Sequence, residues 1–185
     1  ARAGELGVGS LMFDAATLPY DENTALTAAI VRDGHAVGVA VEGELGEIGG
    51  KNGAHAPGVR TDPEEAVGFV RDTGVDALAV AVGSEHAMTD RSAQLDLDLI
   101  RRLTASLSVP LVLHGSSGVA DDMLAAAVAA GIRKVNVGTA LGIAGTARLR
   151  AELADQPSAV DPRKYLRGVR DDVRALVAHL CAVVG

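Results

Sequence analysis

With 185 residues, the chain is long enough for one domain with a substantial core, and at 48% hydrophobic it is not a disordered segment. A net charge of -7 argues against a nucleic-acid-binding surface, and no apolar run approaches the roughly 20 residues needed to cross a bilayer. Cys181 is alone, so no internal disulfide is possible. The first residue is Ala1 and no signal peptide is visible, which gives a cytoplasmic reading.

Short apolar runs recur along the chain, each ending in polar or small residues. The run Ser10 to Phe13 ends at Asp14, and Asp21 to Asp33 reads as a helix stopped by Gly34. Val37 to Val41 leads into Glu42-Gly43-Glu44-Leu45-Gly46. Thr61-Asp62-Pro63-Glu64 opens a second helix, with Thr61 as N-cap and Glu64 as its capping-box partner. Pro63 fits the first turn of that helix and Gly74 its end. Ala77 to Val82 leads into Gly83-Ser84-Glu85-His86, and a third helix spans Asp96 to Leu107. Pro110 can start a strand but cannot sit within one. Leu111 to Leu113 follows it and ends at His114 and the loop Gly115-Ser116-Ser117-Gly118. A fourth helix covers Asp121 to Ala130, and Lys134 to Val137 is a last apolar run closed by Gly138-Thr139. Beyond Thr139 the pattern is helical. Asp161-Pro162 forms a cap and first turn, and Val173, Leu176, Val177 and Leu180 form an apolar stripe.

Strand–helix alternation at spacings near 30 residues means parallel βαβ units in an α/β fold. About five such units would suit an open doubly wound sheet or most of an eight-stranded (β/α)8 TIM barrel. The loops favour the barrel, because the loops after its last two strands often bind phosphate. The chain is then expected to be one domain, residues 1–185, carrying roughly strands four to eight and the carboxy-terminal helices.

His86 and His114 each sit where a strand ends. On neighbouring strands, about 4.8 Å apart, they could bind one metal ion, or be two hydrogen-bonded rim histidines. Glu42 and Glu44 are two residues apart and point to one face of their strand, where either a ligand role or a buried polar network would suit them. The serine loop and Asn136 to Thr139 offer backbone N–H groups and hydroxyls to an anion, or are ordinary turn and cap chemistry. His35, His55 and His179 are assigned no role. Lys134 is placed at the start of its strand, away from the catalytic rim, and Lys51 and Lys164 lie in a loop and the tail. A Schiff-base mechanism therefore finds no suitable lysine.

Five segments together resemble the class II, metal-dependent fructose- and tagatose-bisphosphate aldolases. They are Leu113 to Gly118, Gly131 to Thr139, Gly74 to Gly83 with His86, Val41 to Gly46 with Gly49-Gly50, and Phe13 to Asn23. Asp161-Pro162-Arg163-Lys164-Tyr165 brings the chain nearest the tagatose-type branch. The resemblance implies a (β/α)8 barrel with zinc as cofactor, held by His86 and His114, and a monovalent cation near the phosphate loops. It also implies dihydroxyacetone phosphate bound by Gly115, Ser116, Ser117, Asn136, Val137, Gly138 and Thr139, with Ala87 at a substrate-contacting position. The implied reaction is reversible aldol cleavage of a ketohexose 1,6-bisphosphate to dihydroxyacetone phosphate and glyceraldehyde 3-phosphate. Zinc would polarise the ketone, and a carboxylic acid–base would move the protons. The implied setting is cytoplasmic sugar-phosphate metabolism by a homodimer or homotetramer, with no nucleic-acid or membrane partner.

Three departures from the family pattern stand out. The family's third zinc histidine and its catalytic aspartate belong to a strand expected upstream of Ala1, which leaves Glu44 as the candidate carboxylate here. Ala87 stands where the family usually has glycine. Lys51-Asn52-Gly53 follows Gly49-Gly50 where acidic residues are usual. The chain alone is accordingly expected to be inactive, with the edge of Ser10 to Phe13 uncovered. The alternative reading is a non-catalytic barrel homologue that binds a phosphosugar or serves as an assembly partner.

Overall fold

A computed structural model of the chain describes residues 2–46, 59–86 and 88–185. A short helix α1 (Arg2–Glu5) precedes five strands: β1 (Ser10–Phe13), β2 (Ala40–Leu45), β3 (Ala77–Val80), β4 (Leu111–Leu113) and β5 (Ile132–Val135). Between them run α2 (Tyr20–His35), α3 (Pro63–Thr73), α4 (Leu97–Ser106) and α5 (Asp121–Ala130), and α6 (Thr139–Asp155) and α7 (Pro162–Val184) follow. Every strand pair is parallel, and the strand order is β1-β2-β3-β4-β5. That order never reverses, whereas a doubly wound sheet turns back at a switch point. The arrangement is that of successive barrel strands. Among the described strands, β1 and β5 each pair on one side only.

The pairing register sorts the side chains. Residues paired across parallel strands share a face, and neighbours along a strand alternate. Gly43, Leu78, Leu111 and Ile132 form one row and Leu45 and Val80 belong to another on the same face. This face packs on the helices around Phe69, Ile100, Leu103 and Leu124, all essentially inaccessible. The opposite face carries Met12, Glu42, Glu44, Ala79, Val112 and Lys134. The sheet therefore has an aliphatic side under the helices and a polar concave side.

Several local expectations shift. The N-cap of α3 is Asp62, whose Oδ1 accepts from the Glu64 and Glu65 amides, rather than Thr61. Thr61 instead donates to the Leu45 carbonyl at 2.6 Å and accepts from the Ala81 amide at 2.8 Å, tying the ends of β2 and β3 together. Gly34 does not stop α2, which continues to His35. A Cβ there would stand 2.8 Å from Val41 Cγ2, so this glycine serves close packing of helix on strand. β2 starts at Ala40, later than Val37, and runs through both glutamates. β5 starts at Ile132, two residues before Lys134. The Asp161 cap holds as expected, accepting from the Arg163 amide with Pro162 in the first turn. Gly74 ends α3. Of the carboxy-terminal stripe, Leu180 packs against the core while Val177 is exposed.

Candidate active site

The polar face of the sheet gathers its charges around His114, the residue directly after β4. Its Nε2 lies 2.7 Å from Glu42 Oε1 and its Nδ1 3.0 Å from Glu44 Oε2. All three side chains are almost fully buried. Glu42 Oε2 in turn accepts from Lys134 Nζ at 2.6 Å. Burial alone would lower the His114 pKa, but hydrogen bonds to Glu42 and Glu44 outweigh it and raise the value to about 9. Burial would raise the Glu42 carboxyl, and His114 and Lys134 instead hold it below the usual range. Asn136 Nδ2 lies 2.8 Å from His114 Nε2 and 3.5 Å from Glu42 Oε1.

These contacts report the curvature of the sheet. Glu42 on β2 and Lys134 on β5 are three strand spacings apart, about 14 Å if the sheet were flat. Their charged ends meet because the strands curl around a common interior, as barrel strands do. The placement of Lys134 at the far end of its strand is corrected here. It is the third of four residues in β5 and its ammonium reaches the carboxylate cluster.

His86 lies in the loop after β3, six residues beyond Val80. Its ring stands edge-on to His114 with centroids 5.7 Å apart. The loop is held in place from the far side. The Ala93 amide donates to the Gly118 carbonyl, and Arg91 donates to the Val119 carbonyl and pairs with Asp121. Donor atoms of Glu44, His86 and His114 all lie within 4.8 Å of one another. Two imidazoles and a carboxylate suit zinc, whose catalytic sites commonly use three protein ligands and an open position. The residues present therefore fit a zinc ion.

The serine loop and the start of α6 complete the site. Ser116 donates to the Asn136 carbonyl at 2.5 Å, joining the two loops. The Ala140 amide donates to Ser117 Oγ at 3.0 Å, so a serine from the neighbouring loop caps the first turn of α6. Gly115, Ser116, Ser117, Asn136, Val137, Gly138 and Thr139 line one cleft of about 340 Å³ together with His86, His114 and Met12. The structure thus brings both expected histidines and both expected loops to one cavity. Ala87, Gly49-Gly50, Lys51-Asn52-Gly53 and His55 lie outside the described residues. His35 pairs with Asp76, and His179 pairs with Asp121, both on exposed surfaces.

Comparison with known proteins agrees with this geometry. The family model described as "Fructose-bisphosphate aldolase class-II" matches residues 1–185. The chain belongs to the class II fructose-bisphosphate aldolase family. The YdjI aldolase of Escherichia coli K12 is similar, with 36% identity over 99% of this chain and 63% of that one, at a TM-score of 0.82. A fructose-1,6-bisphosphate aldolase candidate from Coccidioides immitis has 28% identity over 99% of this chain and 66% of its own, at 0.83. The fructose-bisphosphate aldolase of Campylobacter jejuni, at 21% identity and 0.77, shares the fold. The chain thus spans slightly under two thirds of the length of these aldolases. No helix among the described residues is long and apolar enough to cross a membrane.

Two residues that support this site escaped the residue-by-residue reading. Asn23, buried on α2, donates to the Glu44 carbonyl at 3.0 Å and accepts from Thr27. It fixes the backbone that presents Glu44. Its polar character amid the apolar positions of a helix was the available signal. Lys134 was the other, and only the strand register reveals its direction.

Proposed function

We propose that the protein is a zinc-dependent aldolase that reversibly cleaves a ketohexose 1,6-bisphosphate, fructose or tagatose, to dihydroxyacetone phosphate and glyceraldehyde 3-phosphate. The observation that carries this reading is the cluster of Glu44, His86 and His114, whose two histidines line the cleft walled by the serine loop and the start of α6. Zinc held by His86 and His114, with Glu44 at hand, would supply Lewis-acid polarisation of the substrate ketone. The chain's own residues do the rest of the binding. Gly115 to Ser117 and Gly138-Thr139 line the cleft, where their backbone N–H groups would bind a phosphate whose charge the N-terminus of α6 favours. A phosphate anchored there fixes the reacting carbon relative to the histidines, which is the entropic share of catalysis. On this reading Glu44, beside the two histidines, is this chain's candidate carboxylate for moving a proton at that carbon. The same reading assigns the protein to cytoplasmic sugar-phosphate metabolism, with small sugar phosphates as ligands and a homodimer or homotetramer as the assembly.

The test is an aldol-cleavage assay on fructose and tagatose 1,6-bisphosphates, run on the protein with any residues that precede Ala1, since residues 1–185 alone are expected to be inactive. Chelation should abolish turnover and zinc should restore it. Borohydride added with substrate should leave turnover intact, since no imine forms. Inactivation by borohydride with chelators harmless would overturn the mechanism. Phosphosugar binding without any cleavage would favour the non-catalytic reading.

A further inference from the structure

Lys134 reaches the polar face through an irregularity in strand pairing. Leu111 pairs with Ile132, but Val112 pairs with Lys134, so Arg133 is an extra residue between two paired ones. In unbroken register Arg133 would pair with Val112, and Lys134 would pair with Leu113 and face the helices. The bulge moves Lys134 into the row of Glu44, Ala79 and Val112, on the concave side. Bulges commonly re-aim a side chain next to a functional site. Here the re-aimed ammonium meets Glu42 Oε2 at 2.6 Å while Glu42 Oε1 holds His114 Nε2 at 2.7 Å.

We propose that Lys134 is a positioning residue for the metal site: through Glu42 it keeps the His114 Nε2–H engaged, so that Nδ1, on the side of Glu44, is the atom offered to zinc. The inference rests on the zinc reading above and adds to it a residue that touches neither metal nor substrate. A carboxylate that accepts from a ligating histidine sets the tautomer and orientation of the ring. Glu42 can do this only while its own position is fixed. It is almost fully buried, and the Lys134 ammonium at 2.6 Å offsets its charge whether or not His114 carries a proton. With Nε2 protonated, the Asn136 amide turns by 180° to present oxygen to that proton and gives up its 3.5 Å contact with Glu42 Oε1. The Lys134 side chain is about half exposed, so replacing it removes the ion pair without emptying the core.

The test is competitive chelator titration of zinc on the purified protein and its variants, alongside thermal melts. Lys134→Met and Glu42→Gln should each weaken zinc binding about 10- to 100-fold. Their double variant should be little worse than either one, since they act as one unit. Lys134→Arg should recover most of the affinity. Long-range 15N–1H spectra of the zinc-loaded wild type should show His114 protonated at Nε2, with that signal lost or shifted in Lys134→Met. Lys134→Gln serves in place of Lys134→Met should the latter not fold. Zinc affinity lost in His114→Ala but unchanged in Lys134→Met would overturn this inference alone. Zinc affinity unchanged in His114→Ala would overturn the metal reading and this inference with it.

Discussion

His114 stands between two buried glutamates, its Nε2 2.7 Å from Glu42 and its Nδ1 3.0 Å from Glu44. In the metal-free protein this sandwich holds a proton, and the pKa of about 9 against an ordinary 6.5 follows from it. The folded state binds that proton more tightly than the unfolded state does. The associated stability is fully present below about pH 6.5, declines as the unfolded chain deprotonates, and is gone once pH passes about 9. Thermal melts of chelator-treated protein should show the midpoint falling between pH 6.5 and 9. His114→Gln should flatten this part of the profile. A midpoint that rises with pH across this window in the wild type would contradict the assignment.

Zinc competes with the same proton, since a ligating histidine must give up the hydrogen on the coordinating nitrogen. Zinc affinity should therefore climb with pH to about 9 rather than level off near 6.5. Calorimetry in buffers of different ionisation enthalpy should detect proton release on binding. His86→Ala and His114→Ala each delete a proposed ligand. Each should cost more than the roughly 10- to 100-fold expected for an outer residue. Unchanged zinc content in either variant at controlled free metal would remove that histidine from the site.

How much of this site is legible in the residues alone depends on the length scale of each interaction. The strand–helix alternation is local, so the five units and their order could be read directly. His114 and the serine loop follow a strand that an apolar run and Pro110 define, and they too were legible. Thr61 and Asp62 illustrate a limit. Either side chain can cap a helix, and the choice was made by a tertiary demand, the Leu45 carbonyl that Thr61 satisfies. Lys134 illustrates a deeper one. Alternation along a strand predicts its face only if pairing is unbroken, and the bulge at Arg133 reverses that parity. Nothing in Ile132 to Val135 announces the bulge, because it is a property of the pairing with β4. The convergence of Glu42 with Lys134 likewise depends on how the sheet curls.

Ser117 offers a test of the phosphate loops. Its hydroxyl accepts from the Ala140 amide at the start of α6 and lines the cleft. Ser117→Asp can still accept that hydrogen bond but places a negative charge where the proposed phosphate sits, and like charges repel there. Calorimetric affinity for dihydroxyacetone phosphate should fall at least tenfold. Ser117→Ala removes the cap without adding charge. It should cost about 1 kcal/mol of stability and weaken binding less than the aspartate does. Equal affinity in Ser117→Asp and wild type would move the anion site elsewhere.

Gly115 couples the two halves of the site through its backbone. Its φ of 65° lies in the left-handed region, and an added Cβ would stand 2.5 Å from the Glu85 carbonyl oxygen, beside His86. Gly115→Ala should therefore pay about 1–2 kcal/mol of backbone strain and also push the His86 loop away from His114. The expected outcome is a drop in melting temperature together with weaker zinc binding. Gly142 provides the contrast, since it lies within α6 with open space around its Cβ position. Gly142→Ala should leave zinc affinity unchanged and stabilise the protein by about 0.5–1 kcal/mol through helix propensity. If Gly115→Ala melted normally and bound zinc like the wild type, the close approach of the His86 and serine loops would not be what sets the metal site.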